Sequence, residues 1–347
     1  PVVAAWKKER GEKCSQGEQD TRITRLLREM GAPDGAGATY VEFGFNGDSG
    51  SNTVALRERG WRGHLFDCCL GPDPKINLHK AWLSVATIAE LFRSHGVPSD
   101  LTYLSVDIDA SDIWLLRALL RGGFKPSLVT IEYNSNFPAD APLAFPDPDA
   151  DPKDAYPVGW DGGCYMGSSF AAIEAVAREE GYVIVDVEPG YDLFLARADT
   201  WGARPVLRGA ELERRAYAPF NLPADRGTVW GARKMGAYLE LPALQASGGS
   251  YTAARAPVAG HFGRMRREGR PCFENGARRD LKGPSCSRAQ KVHCPHLNAW
   301  LCPVDGAASP CDAYPPSAAQ LLQEGLATIG PPLRLASPGP LVAAVRK

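Results

Sequence analysis

The sequence predicts an α/β fold: a mostly parallel sheet that closes in an antiparallel hairpin, followed by an irregular, cysteine-bearing C-terminal region. Three observations predict it. Short apolar runs at 40–43, 101–106 and 127–133 alternate with stretches of helical periodicity, as β/α units around a parallel sheet do. A glycine-containing loop directly follows the first of these runs. The runs YVIVDVE and YDLFLARA are separated by little more than Pro189-Gly190, so they must pair antiparallel, because a parallel pair needs a crossover. Together these describe a Rossmann-like sheet that ends in one antiparallel hairpin.

The elements follow in order. Residues 1–18 are polar and read as frayed. Ile23, Leu26, Leu27 and Met30 share one helical face, so 21–30 is a short amphipathic helix that caps the sheet. The linker GAPDGAG leads into a strand, Tyr40 to Phe43, then the glycine-rich turn, a helix over about Ser51 to Arg59, and a short strand ending in Asp67. A Pro/Gly loop precedes a helix over about 84–95, which Gly96 ends. LTYLSVDID is a buried strand running into Asp107 and Asp109, and the helix from Ala110 to Arg121 stops at Gly122-Gly123. The strand over 127–134 gives way to an aperiodic, Pro- and Asp-rich loop at 137–163, of the length expected for a functional or mobile segment. A helix from Ser168 to Glu180 then leads to the hairpin. From about 204 strand and helix signals weaken, apart from one short helix over 317–327. This divides the chain into 1–37 (segment and capping helix), 38–203 (the α/β domain) and 204–347 (irregular, rich in Cys, Pro and Arg).

A chain of 347 residues can bury one good core and a second small one, and 44% hydrophobic with 23% charged residues is an ordinary globular balance. A net charge of −1 gives no electrostatic case for nucleic acid or an anionic membrane. No apolar run reaches bilayer length, and no signal peptide is read. The compartment, cytoplasm or secretory lumen, stays open, as does the oligomeric state. Cys272, Cys286, Cys294, Cys302 and Cys311 crowd the tail with His293 and His296, which suits disulfides before zinc because no C-x-x-C pair occurs. Arg264, Arg266, Arg267, Arg270, Arg278 and Arg279 form a basic patch, best read as a solvated face.

The segment 40–67 is the most informative. A strand, a glycine loop, a helix and a second strand ending in an acid hold a nucleotide-like ligand at the strand's carboxyl end. The spacing Glu42-x-Gly44 with Asp67 closing the next strand suggests S-adenosylmethionine, and the loop lacks the G-x-G-x-x-G that would cradle a dinucleotide pyrophosphate. Glu42 would reach toward the methionine ammonium, Gly44 and Gly47 would let the backbone approach, and Asp67 would accept the ribose hydroxyls. Ser51 and Asn52 sit where the helix starts, and N-capping accounts for one of them equally well.

VEFGFNGDSGSNTVALRERGWRGHLFD, LTYLSVDIDASDIWLLRALL, KPSLVTIEYNSNFP and YMGSSFAAIEAVAREEGYVIVDVEPGYDLFLARAD occur in the order seen in FkbM-like methyltransferases. The resemblance covers about 38–200, and its most specific pieces are SNT with GWRG, the VDID run and IEYN. It implies a Rossmann-like methyltransferase sheet, S-adenosylmethionine as cofactor, and O-methylation of a hydroxyl on a sugar or small natural product. The loop departs from the pattern: Asn46, Gly47 and Asp48 stand in inverted order, and Asn46 occupies a position that is often glycine, where an asparagine tolerates unusual φ/ψ. Beyond 200 no resemblance is found.

An alcohol acceptor needs its proton removed or its oxygen polarised. Asp107 and Asp109, at the end of the LTYLSVDID strand, can act as general base. Alternatively Asp107, Asp109, Glu132 and Asn134, on adjacent strand ends, hold Mg²⁺ in an all-oxygen shell. Asp109 or Asp112 can instead cap the following helix. Tyr133, Asn136, Tyr165 and Ser168 can line an acceptor pocket, though packing explains each singly, and His64 and His79 read as packed or surface residues. Two other classes compete: a catalytically silent methyltransferase-fold scaffold that binds a partner, and a different Rossmann-like enzyme using a nucleotide.

Overall fold

A computed structural model of the protein describes residues 14–147, 165–219, 236–268 and 270, together with the strand residues 292–294 and 299–301. The strands are β1 (Thr39–Phe43), β2 (Arg62–Asp67), β3 (Leu78–Lys80), β4 (Tyr103–Val106), β5 (Leu128–Glu132), β6 (Leu143–Ala144), β7 (Tyr182–Glu188), β8 (Asp192–Arg197), β9 (Leu239–Glu240), β10 (Val292–Cys294) and β11 (Ala299–Leu301). The helices are α1 (Gln19–Glu29), α2 (Val54–Glu58), α3 (Ile88–Ser94), α4 (Asp112–Arg121), α5 (Phe170–Glu179), α6 (Ala198–Trp201), α7 (Gly209–Ala216), α8 (Leu241–Ala246) and α9 (Tyr251–Arg267). Seven strands form one sheet in the order β3-β2-β1-β4-β5-β8-β7. β8 runs antiparallel to both its neighbours, while β3, β2, β1, β4 and β5 pair in parallel. The result is a mostly parallel α/β sheet consistent with a Rossmann-like fold, with the antiparallel hairpin where the Pro-Gly turn predicts it.

Strand alternation sends successive side chains to opposite faces. Val41, Phe43, Leu104, Val106, Val129 and Ile131 face one side and pack with residues of α3, α4 and α5, including Phe92, Leu116 and Ile173. Tyr40, Leu65, Tyr103, Leu128 and Phe194 face the other and pack with Ile23, Leu26 and Leu27 of α1, which caps the sheet as expected. Fully burying each such side chain contributes about 1.5–3 kcal/mol, so both faces supply the folding drive. The parallel strands place their carboxyl ends together, where Glu42 lies opposite Ser105 and Glu132 opposite Asp192.

Four expectations need correction. β3 was not read from the sequence; it is a three-residue edge strand entered through Asn77, which sits at φ 55. Residues 14–18 are not frayed: Cys14 and Ser15 are buried, Gly50 N–H donates to the Cys14 carbonyl, and Ser15 bridges to Gly50. The start of the 137–163 loop is packed rather than mobile, with Phe137, Leu143 and Phe145 buried and β6 paired to β9. The region after 204 is not uniformly irregular: Leu207, Leu212, Ala216, Leu241 and Leu244 join the core on the α5 side of the sheet, and α9 packs Val258, Phe262 and Met265 against Phe137, Tyr165 and Tyr238. Residues 1–13 and 148–164, Cys272, Cys286, Cys302, Cys311, Arg278, Arg279 and the helix expected over 317–327 lie outside the described residues, as do the side chains of His293, Cys294 and His296.

Candidate functional site

The loop after β1 is shaped by its glycines. Positive φ falls on Gly44 (67°), Gly47 (102°) and Gly50 (99°). Asn46 is not among the positive-φ residues, so the unusual backbone expected there is carried by its neighbour Gly47. At Gly44 a side chain is excluded outright: an added Cβ would lie 1.8 Å from the Asp107 carbonyl oxygen. That contact sets the ends of β1 and β4 edge to edge. At Gly47 an added Cβ meets nothing within 4 Å, so the loop there borders open space.

Glu42 is buried at the base of the loop, and its carboxylate accepts from Ser51 Oγ (2.7 Å), Thr53 Oγ1 (2.5 Å) and the Asn52 N–H (3.0 Å). Burial pushes its pKa up, and the three donors oppose that shift. Neither Ser51 nor Asn52 caps α2, as sequence reading allowed; Thr53 occupies the N-cap position and makes no side-chain cap bond. Their geometry ties the loop back to β1 instead. Asn52 Nδ2 donates to Ser105 Oγ at 3.1 Å, while its buried Oδ1 has no hydrogen-bond partner among the described residues.

Asp67 ends β2 as expected. Its Oδ1 accepts the N–H groups of Cys69 (2.7 Å) and Leu70 (2.6 Å), so one carboxylate oxygen closes the turn after the strand. Cys68 and Cys69 form a disulfide with each other.

Asp107, Asp109 and Glu132 converge: one carboxylate oxygen from each lies within 4.8 Å of the others. Asp109 reaches this position from a left-handed backbone (φ 66). Neither Asp109 nor Asp112 is the N-cap of α4: Ser111 holds that position without a side-chain cap bond, and Asp112, in the first turn, accepts the N–H groups of Ile108 (2.7 Å) and Ala110 (2.9 Å) from the preceding turn. Two hollows open here. The first is shallow and open to solvent, lined by Glu42, Gly44, Asn46, Gly47 and Ser51 among others. The second, equally shallow, is lined by Gln19, Glu132, Tyr191 and Asp192. Gln16, Gly50, Asn52 and Asp107 line both.

Asn134 is not brought to this cluster as expected. Its Nδ2 donates to the Met166 carbonyl (2.8 Å), and its Oδ1 accepts from the backbone and side-chain nitrogens of Asn136 (3.0 and 2.9 Å). It braces the loop before α5 and lines neither hollow. Asn136 serves the same brace. Tyr133 is buried with its hydroxyl donated to the Ala216 carbonyl, and Tyr165 stacks edge-on with Phe262, so both are packing residues. Ser168 is also buried, and its carbonyl accepts the Asn134 N–H. His64 and His79 pack with His95 and Phe66 between β2, β3 and the end of α3, and they line neither hollow.

Gln16, Gln19, Tyr191 and Asp192 were missed by sequence reasoning. The last two follow the Pro-Gly turn, and the pairing of β8 with β5 places Asp192 opposite Glu132, so the hairpin was the available signal. Gln19 Nε2 donates to Asp192 Oδ2 at 3.0 Å, which joins the N-terminal segment to the hairpin across the site. No local pattern in the sequence announces that long-range contact. No protein-family model matches the chain, and no curated protein matches it in sequence.

Proposed function

We propose that this protein is an S-adenosylmethionine-dependent methyltransferase of the FkbM-like type, acting on a hydroxyl of a sugar or small natural product. One observation carries the reading. The hollow under the β1 loop and the acid-lined hollow beside it share a wall at Asn52 and Asp107, and the described residues of both walls include four carboxylates and no Lys, Arg or His. Such walls favour a ligand that brings ammonium and hydroxyl donors, and they oppose the phosphates of a nucleotide. The sheet order with its reversed β8 supports the same reading.

When bound, S-adenosylmethionine supplies an electrophilic methyl group. The residues of the chain bind and align. Glu42 fixes the loop through Ser51, Asn52 and Thr53, and Gly47 leaves the adjoining space open. Asp67 lines neither hollow; its Oδ1 holds the turn after β2, and its Oδ2 would accept a ribose hydroxyl from a ligand reaching past them. Asp107 is common to both hollows and would take the proton of an acceptor hydroxyl. Transfer then depends mainly on proximity and alignment of donor and acceptor.

Isothermal titration with S-adenosylhomocysteine tests the proposal. Binding in the micromolar range is expected for the wild type, with none for ATP or NAD. Asp67→Asn keeps an oxygen for the Cys69 and Leu70 amides but loses the carboxylate, so affinity should fall about tenfold with the fold intact. A folded wild-type protein that ignores S-adenosylhomocysteine would sink the proposal in favour of a silent scaffold, and binding of ATP or NAD instead would favour a nucleotide enzyme.

A further inference from the structure

We infer that the carboxyl ends of β4 and β5 form a binding site for one hard divalent cation, with one oxygen each from Asp107, Asp109 and Glu132 as the protein ligands. The three oxygens lie within 4.8 Å of one another. Oxygens sharing one Ca²⁺ at about 2.4 Å are at most about 4.8 Å apart, and on Mg²⁺ at about 2.1 Å at most about 4.2 Å. The trio therefore lies within the outer limit of one Ca²⁺ shell, and the smaller Mg²⁺ would draw the oxygens closer together.

The fold explains the convergence. β4 and β5 pair in parallel with Val106 opposite Ile131, so Asp107 and Glu132 leave the sheet side by side. The chain then turns back at Asp109, and Asp112 holds that turn through the Ile108 and Ala110 amides. A second, independent observation points to a ligand. Asn52 is nine-tenths buried and comes from a different loop, its Oδ1 has no partner among the described residues, and it lines the same hollow as Asp107 and Glu132. A buried acceptor left unsatisfied destabilises the fold, and the water shell of a hard cation supplies the missing donor. Carboxylates alone, without imidazole or thiolate, select Mg²⁺, Mn²⁺ or Ca²⁺ over zinc or copper.

The role of the cation rests on the methyltransferase reading: it would bind and orient the acceptor's hydroxyl oxygen beside Asp107. Its binding does not depend on that reading, which keeps the two separable. The test is a titration of the full-length chain with Mn²⁺, without cofactor, following the electron paramagnetic resonance signal of the free ion. One ion per chain should be taken up, and Mg²⁺ or Ca²⁺ should displace it. Asp109→Asn and Glu132→Gln should each weaken uptake at least tenfold, whereas Asp73→Asn, an acid outside the cluster, should not. Mg²⁺ should raise the Tm of the wild type and leave those of Asp109→Asn and Glu132→Gln unmoved; if one of these does not fold, the other and the wild-type titration still decide. A free-ion signal that persists at millimolar Mn²⁺ over folded wild-type protein overturns the site, and so does equal uptake by Asp109→Asn and the wild type. Uptake of Mn²⁺ without binding of S-adenosylhomocysteine removes the methyltransferase reading and leaves the cation site standing.

Discussion

Gly44 and Gly47 stand three residues apart in one loop, both at positive φ, and the structure assigns them very different sensitivities. Placing alanine at a left-handed position costs about 1–2 kcal/mol at either site. At Gly47 nothing lies within 4 Å of the new Cβ, so that backbone cost is the whole effect. At Gly44 the Cβ would sit 1.8 Å from the carbonyl oxygen of Asp107, a contact with backbone that no side-chain rotation relieves. The ends of β1 and β4 would have to part by more than an ångström, and overpacking of that kind adds about 1–3 kcal/mol. Gly44→Ala should therefore lose about 2–5 kcal/mol and Gly47→Ala about 1–2, against a total stability of about 5–15 kcal/mol for a domain of this kind. Urea unfolding followed by far-UV circular dichroism measures both. Because Asp107 lines both hollows, Gly44→Ala should also weaken S-adenosylhomocysteine binding more than tenfold where the protein still folds. Equal losses at the two positions, or a neutral Gly44→Ala, would refute the claim that this backbone contact sets the spacing of the site.

Other outcomes follow from single contacts. Burial, then the neighbouring His79 and His95, depresses the His64 pKa from 6.5 to about 4. A base whose folded pKa lies below its unfolded value contributes its full stability above about pH 6.5 and loses it as pH falls toward 4. That interval corresponds to about 3 kcal/mol, which solvent screening of the half-exposed ring reduces to about 1–2 kcal/mol. Urea midpoints measured across pH 7 to 4 should fall by that amount and should flatten in His64→Gln; an unchanged slope in the variant would remove the assignment. Asn134→Ala should cost about 2–4 kcal/mol through the loss of its bonds to Met166 and Asn136, yet leave S-adenosylhomocysteine affinity within twofold, since Asn134 lines neither hollow. Thr53→Val keeps the shape but removes one donor from the buried Glu42 carboxylate, and a stability loss of about 1.5–3 kcal/mol in the same assay is expected.

Elements held by local chemistry were legible from the sequence, and those held by distant contacts were not. β1, β4 and β5 announce themselves because both faces of a central parallel strand are buried, which leaves mostly apolar runs in the sequence, broken by single polar residues such as Glu42, Ser105 and Thr130. The hairpin is equally plain, since a Pro-Gly turn leaves one way to pair. β3 carries no such signal, because an edge strand of three residues has neither the length nor the alternation to stand out. α9 is hidden by composition: Pro257, Gly260 and Gly263 lie inside a 17-residue helix, and each argues locally against it. Packing of Val258, Phe262 and Met265 against Phe137, Tyr165 and Tyr238 outweighs those propensities. The site divides along the same line. Glu42, Asp107 and Glu132 were readable because strand ends in a parallel sheet gather at one edge, so an acid just past an apolar run is placed by topology alone. Ser51 and Asn52 were readable as positions but not as roles, because a polar residue at a helix start looks the same whether it caps the helix or grips a carboxylate nine or ten residues back. Asn134 shows the converse: it follows the end of β5 by two residues, but its amide is consumed by Met166 and Asn136, which only the folded loop brings within reach. Gln16 and Gln19 mark the limit of local reading. Their place in the site depends on Cys14 meeting Gly50 and Gln19 meeting Asp192, and a contact spanning 173 residues leaves no trace in the spacing of either partner.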